Sequence, residues 1–254
     1  MICRYKIIEH NKCDIKYMEE YIKRMDTMEK ELFECTGYEI NTRLIALTNS
    51  LLIYQANVNA LKIWYKKLNN PQAALIIWNP DNYSLMEQTN LEMQRLFSNF
   101  LSSAFSLRDH LYALRNMYYE GTEIVDSIQN YIDAYFKGKG ITSFVQDFRN
   151  FVVHRGYPKL NKELKIDKER IHNDLIFNKK ELLKFKKWSA TSKEYIENMG
   201  DDLKMIDVVN EYNGIIEAYY DDILKMFKKY HYKELCELKV IKEKYNIPLH
   251  MVRI

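Results

Sequence analysis

Glycine and proline are scarce, at seven and four among 254 residues. An all-β or loop-rich chain needs far more turn-formers, so that class is excluded. Cysteine is sparse too: Cys3, Cys13, Cys35 and Cys236 stand apart, with no CxxC pair. Zinc sites use closely spaced ligand pairs and secreted domains a disulfide framework behind a signal peptide; neither pattern is visible. The expectation is reduced thiols, the cytoplasm, and no metal or cofactor. Long apolar runs are missing as well. The longest uncharged stretch, Leu44–Leu61, carries Thr48, Asn49, Ser50, Gln55, Asn57 and Asn59. It is too polar to cross a bilayer and suits a helix buried among other helices, so no membrane partner is expected. The net charge of +3 is nearly balanced and points to no partner.

Leu, Ile, Met, Lys, Glu and Tyr at helical spacing are plentiful. Ile15, Met18, Ile22, Met25, Met28 and Leu32 recur every three or four residues, predicting a helix from about Asp14 to Cys35. A second should run from about Asn41 to Leu68 and stop before Pro71, pairing antiparallel with the first. Residues 71–83 read as a linker around the apolar plug Ala73–Trp78. This divides a helical hairpin (1–80), packed on the core, from a larger bundle (81–254). Residues 1–9 suit a short strand or an extended arm.

Ser84, with Glu87 in the capping-box position, should start a long helix reaching about Glu120. Further helices are expected over about Glu123–Phe136 and Ile141–Arg155. A β-hairpin at about 160–178 follows. Asn178 is placed to cap a helix through Trp188, and one or two long helices should fill Asp202 to about Tyr245. The fold class is mainly α: long antiparallel helices with a small β-hairpin insertion after the helix that ends at Arg155.

That helix holds the densest grouping of chemistry. Phe144–Pro158 reads FVQDFRNFVVHRGYP, with Arg149-Asn150 followed after three apolar residues by His154. At about 100° per residue, Phe144, Val145, Phe148, Phe151 and Val152 form a core arc. Asn150 and His154 lie together on the opposite side, with Asp147 and Gln146 close by. Arg149 stands about 140° from His154, flanking a strip of Gln146, Asn150 and Val153. A valine on a polar face suggests that the face is itself covered, and a symmetry mate would bring two Arg/His sets together.

The grouping suits acid–base work on a phosphodiester. Imidazole, titrating near neutrality, takes a proton from a ribose 2′-hydroxyl or returns one to the leaving oxygen. A forked, permanently charged guanidinium holds the phosphate. Attack by the 2′-hydroxyl needs no metal, and the sequence shows no convincing carboxylate cluster for magnesium. The spacing itself carries little: ten arginines and six histidines give R-x(4–6)-H roughly 0.7 times by chance, and Arg4 and His10 satisfy it too. Asparagine directly after the arginine, on an amphipathic helix with a long partner upstream, sets Arg149/His154 apart.

Arg149-Asn150-x-x-x-His154 in a helical bundle resembles the R-x(4–6)-H signature of the HEPN superfamily, in which a polar residue, often Asn, follows the Arg. The resemblance implies a homodimeric HEPN-like helical bundle and a metal-independent endoribonuclease whose two motifs meet in a composite cleft. Such proteins serve in toxin–antitoxin and phage-defence systems, so an antitoxin protein is an implied partner beside RNA. Arg149 and His154 would be catalytic and Asn150 would position them or the phosphate. Some HEPN toxins carry a tyrosine two residues after the histidine; here the tyrosine is Tyr157, three after. The alternative is a non-catalytic HEPN-like module binding RNA, a nucleotide or a protein.

Ten Lys/Arg against five acids in residues 159–188 suggest a phosphate-tracking rim. Arg155, Tyr157, Lys159 and Lys162 are its candidates nearest the motif, and Tyr157, Phe185 and Trp188 its candidate stacking rings. On the long partner helix, Asp109 and His110 are candidates to support the site from behind, beside Arg108, Arg115 and Asn116. His172, His231 and His250 read as surface residues.

Overall fold

A computed structural model describes residues 12–158, 160–166, 171–200 and 202–248. It is mainly α, with a small antiparallel sheet. Residues 1–9, with Arg4 and Cys3, and His10 and His250 lie outside the described residues. The chain groups into two compact units, 1–45 with 226–254, and 46–225.

The smaller unit holds α1 (Lys12–Glu34), the first turns of α2 (Thr36–Leu68), the end of α9 (Met205–Tyr230) and α10 (Tyr232–Lys244). The partner of α1 is α10 rather than α2. Lys244 Nζ donates to both Glu31 carboxylate oxygens at 2.7 and 2.8 Å, which lowers the Glu31 pKa. Gly37 permits the closest approach, since a Cβ there would stand 2.0 Å from the Glu234 carbonyl oxygen. His231, expected at the surface, is buried, and burial lowers its pKa.

In the larger unit α2 continues, followed by α3 (Pro71–Ile77), a 3-10 turn at Pro80–Asn82 and the long α4 (Tyr83–Leu114). The expected linker is thus partly helical: Pro71 fits the first turn, and Asn70 accepts from the Gln72 and Ala73 amides. α4 begins one residue before Ser84, and the Glu87 carboxylate takes the Tyr83 hydroxyl instead of closing a capping box. It then widens into a π-turn at Arg115–Tyr119. α2 buries Tyr54, Val58 and Leu61 but leaves Leu52 and Ile53 exposed, so it is covered on one side only.

After α5 (Val125–Phe136) comes α6 (Gly140–Arg155), the helix carrying the Arg149/His154 pair. Gly156 ends it at φ 80°, a conformation in which a side chain would be strained. β1 (Leu160–Ile166) and β2 (Ile171–Asn178) form the expected hairpin, in register from Leu160↔Phe177 to Ile166↔Ile171. A third strand, β3 (Asp202–Lys204), joins β2 and was not legible in the sequence. Asn178 does cap a helix, but α7 (Lys179–Leu183) is short, and α8 (Ala190–Asn198) follows as a separate helix capped by Ser189.

The core of this unit is aromatic. Phe97 meets Phe148 edge-on at 5.4 Å, Phe148 packs on Phe177 at 4.9 Å, and Phe144 stacks on Trp188 at 5.6 Å. These contacts join α4, α6, β2 and the α7–α8 connection. Tyr54, Phe100 and Tyr212 extend the cluster to α2 and α9. Asp174 of β2 is fastened by Lys204 at 2.6 Å and by the Tyr65 hydroxyl, so the sheet is tied to α2.

Phe148→Ala removes the ring at the centre of this cluster and should cost about 3–5 kcal/mol, read as a lowered urea midpoint. Gly37→Ala sets a Cβ against backbone rather than a movable side chain. It should lower the thermal midpoint by several degrees, and an unchanged midpoint would contradict the close approach.

Candidate active site

Rotation of α6 about its axis decides which side chains are offered. Phe144, Val145 and Phe148 are fully buried, while Phe151 lies parallel to Trp188 at 5.8 Å and edge-on to Phe185 at 5.0 Å. With this side committed to the core, Gln146, Arg149, Val153 and His154 face outward and Asn150 is half-exposed. Val153 is 61% exposed, so the strip is uncovered in the single chain.

Asp147 leaves the strip. Its Oδ2 accepts from the Ser189 amide at 2.8 Å and the Ser192 hydroxyl at 2.6 Å, clamping α6 to the start of α8. It is a structural carboxylate, unavailable to His154.

Arg149 points towards α4. Its guanidinium carbon lies 4.9 Å from the centroid of the Phe105 ring, and that of Arg108 lies 4.6 Å from the same centroid. Two cations therefore share one half-exposed aromatic ring. Phe105 escaped the sequence reading; Phe105-x-x-Arg108, three apart on one helix face, was the signal available. His154 is exposed near the end of α6, and among the described residues nothing hydrogen-bonds its ring. Arg149 and His154 are five positions apart, which is about 7.5 Å along the axis and 140° around it. One chain thus points its cation and its imidazole apart.

Asp109 and His110 do not join this site. Between α4 and α6, Phe97 meets Phe148 and Phe105 meets Arg149. Asp109 pairs with Arg108 at 3.0 Å, and His110 Nδ1 lies 2.7 Å from the Ser50 hydroxyl of α2. Arg115 donates to its neighbour Asn116 in the π-turn.

The basic rim is reduced. Lys159 lies outside the described residues, as does the side chain of Lys162 in β1. Lys179 Nζ donates to the Glu197 and Met199 carbonyls at 2.5 and 2.8 Å, and Lys184 pairs with Glu181. Phe185 and Trp188 are buried, and the Trp188 indole donates to the Leu182 carbonyl, so neither is a stacking platform. Tyr157 is half-buried, and desolvation raises its pKa. Arg155 and the exposed Lys186 and Lys187 remain open to solvent.

Beside Arg149 a cavity of about 140 Å³ opens among α4, α5, α6 and α9. Phe105, Arg108 and Gln146 stand on its rim, with tyrosines of α9 deeper inside. Among the described residues no three His, Cys, Asp or Glu side chains gather as metal ligands, and no helix is long and apolar enough to cross a membrane. No protein family, curated protein or solved structure matches the chain.

Structural and chemical roles on α6 are separable. Asp147→Ala should lose about 1–3 kcal/mol of stability, because it strips two hydrogen bonds from one carboxylate oxygen. Arg149→Ala and His154→Ala, both at exposed positions, should stay within about 0.5 kcal/mol of the parent protein. Urea denaturation of the three variants measures this directly.

Proposed function

We propose that the chain is a metal-independent endoribonuclease of HEPN type, acting as a homodimer in a toxin or phage-defence role restrained by a partner protein. The observation that carries the reading is the divergence of Arg149 and His154 across an exposed strip containing Val153. Half of an acid–base site, beside a bare apolar residue, is what a two-fold interface completes.

In the composite cleft the strips of both copies face each other. His154 Nε2 or Nδ1 takes the proton of a ribose 2′-hydroxyl, and the freed oxygen attacks the adjacent phosphorus. The bond from phosphorus to the 5′-oxygen breaks, and that oxygen receives a proton from an imidazolium. Two His154 rings in one cleft allow one to act as base and the other as acid. Arg149, held by Phe105, neutralises charge building on the non-bridging oxygens. Asn150, one turn before His154, donates to the same phosphate or holds the ring. The products are a 2′,3′-cyclic phosphate and a 5′-hydroxyl.

A second reading, a binding module without turnover, is favoured by one observation. No described side chain orients the His154 ring in the single chain, whereas a general base is normally held by a third group. Under the first reading the second copy supplies that group.

Cleavage of single-stranded RNA in EDTA, with end-group analysis, separates the two. Cyclic-phosphate ends are expected, with a loss of at least about 100-fold in His154→Ala and a comparable loss in Arg149→Ala. RNA binding without cutting supports the module. Undiminished cutting by both variants overturns the assignment of this helix. Val153→Asp should convert the dimer to monomers in analytical ultracentrifugation and abolish cutting together; an active monomer would refute the composite cleft.

A further inference from the structure

The last turns of α6 meet the connection between α7 and α8, and this junction gathers cations that nothing neutralises. The Phe151 ring lies 5.0 Å from Phe185 and 5.8 Å from Trp188. Residues 186 and 187 are therefore bracketed by two rings that both rest on one residue of α6. Arg155 is four positions after Phe151, about 6 Å further along the axis and about 40° around it, so it stands on the same side of the helix. Arg155, Lys186 and Lys187 are all exposed. Arg155 directly follows His154, so the cluster begins at the candidate catalytic ring.

The acids nearest in the fold are engaged elsewhere. Asp147 Oδ2 takes the Ser189 amide and the Ser192 hydroxyl, and Glu181 takes Lys184 at 2.6 Å. Among the described residues no carboxylate pairs with Arg155, Lys186 or Lys187. By contrast, Lys137, Lys193 and Lys225 of the same unit each hold an acid one turn away, at 3.0, 3.6 and 2.6 Å. Bare cations grouped in this way repel one another and attract a polyanion, whose phosphates neutralise them and release counterions.

The rings beneath the two lysines decide what else the surface reads. Phe185 and Trp188 are only 8 and 9% exposed, and the Trp188 indole donates to the Leu182 carbonyl. Bases find no open aromatic face there, so the surface holds phosphate and leaves sequence unread.

We propose that Arg155, Lys186 and Lys187 form a phosphate-holding surface that carries single-stranded RNA away from His154, across the junction of α6 with the α7–α8 connection. The polyanion's being RNA rests on the ribonuclease reading; the surface itself rests on charge and packing alone.

A 2′-O-methyl oligonucleotide has no 2′-hydroxyl to attack phosphorus, so its binding is measured apart from cutting. Fluorescence anisotropy of the full-length protein with labelled 2′-O-methyl oligouridine should give a Kd that rises steeply with salt. The triple variant Arg155→Gln, Lys186→Gln, Lys187→Gln should bind at least tenfold more weakly at about 0.1 M salt, and its log–log salt slope should be flatter by about 2, at roughly 0.7 per phosphate contact on a single strand. Its thermal midpoint should match the parent's, because all three side chains are exposed. Lys184→Gln with Lys193→Gln, which removes two paired cations from the same stretch of chain, should leave the slope unchanged. Oligoadenosine of the same chemistry should bind within about threefold of oligouridine.

A triple variant with the parent slope, an equal loss in the paired-lysine variant, or a base preference above tenfold overturns the proposal. So does loss of binding to phosphatidylserine vesicles with RNA binding unmoved, which would make the surface a membrane contact. Weakened RNA binding in the triple variant of a protein that cuts no RNA keeps the surface and removes the nuclease reading. Undiminished binding in that variant, beside cutting that is lost in His154→Ala, removes the surface and leaves the nuclease reading standing.

Discussion

The aromatic seam under α6 is the constraint on which the candidate site depends. Phe144, Phe148 and Phe151 are pinned by Phe97, Phe177, Phe185 and Trp188, and Asp147 adds a polar clamp to α8. Rings of this size bury large areas and tolerate little displacement. They fix the rotation of the helix, and the rotation decides that Arg149, Val153 and His154 face outward. A turn of one residue position, about 100°, would send His154 towards the core and a phenylalanine into solvent.

The outward face divides its chemistry. Arg149 is drawn towards α4 by the Phe105 ring, whereas His154 stands at the open end of the helix. The cation and the imidazole of one chain thus point apart. The cavity adds a feature that a minimal cation–imidazole pair lacks. It lies where Arg108, Phe105 and Gln146 converge, on the side to which Arg149 already points.

Several candidates named from the sequence have structural employment instead. Asp147 holds the α8 cap, Lys179 binds carbonyls at the end of α8, Trp188 is a core ring, and His110 meets Ser50. Each is a polar or amphipathic group whose neighbours come from distant parts of the chain. Helical periodicity records which face a residue occupies, not what another element sets against it. The short strand β3 was missed for the same reason, since three residues leave no period and gain their conformation from pairing with β2.

The sequence by itself determined the helical class, most helix positions, the hairpin, and which side of Phe144–Pro158 is apolar. All of these follow from spacing and from local rules of capping and breaking, which act over a few residues. Only the tertiary structure decided that α1 packs on α10, that His110 meets Ser50, that Phe105 receives two guanidiniums, and that a cavity of about 140 Å³ opens beside them. Those outcomes depend on contacts between residues tens to hundreds of positions apart. Their register is set by how side chains of different elements fill shared space, and no local pattern encodes it.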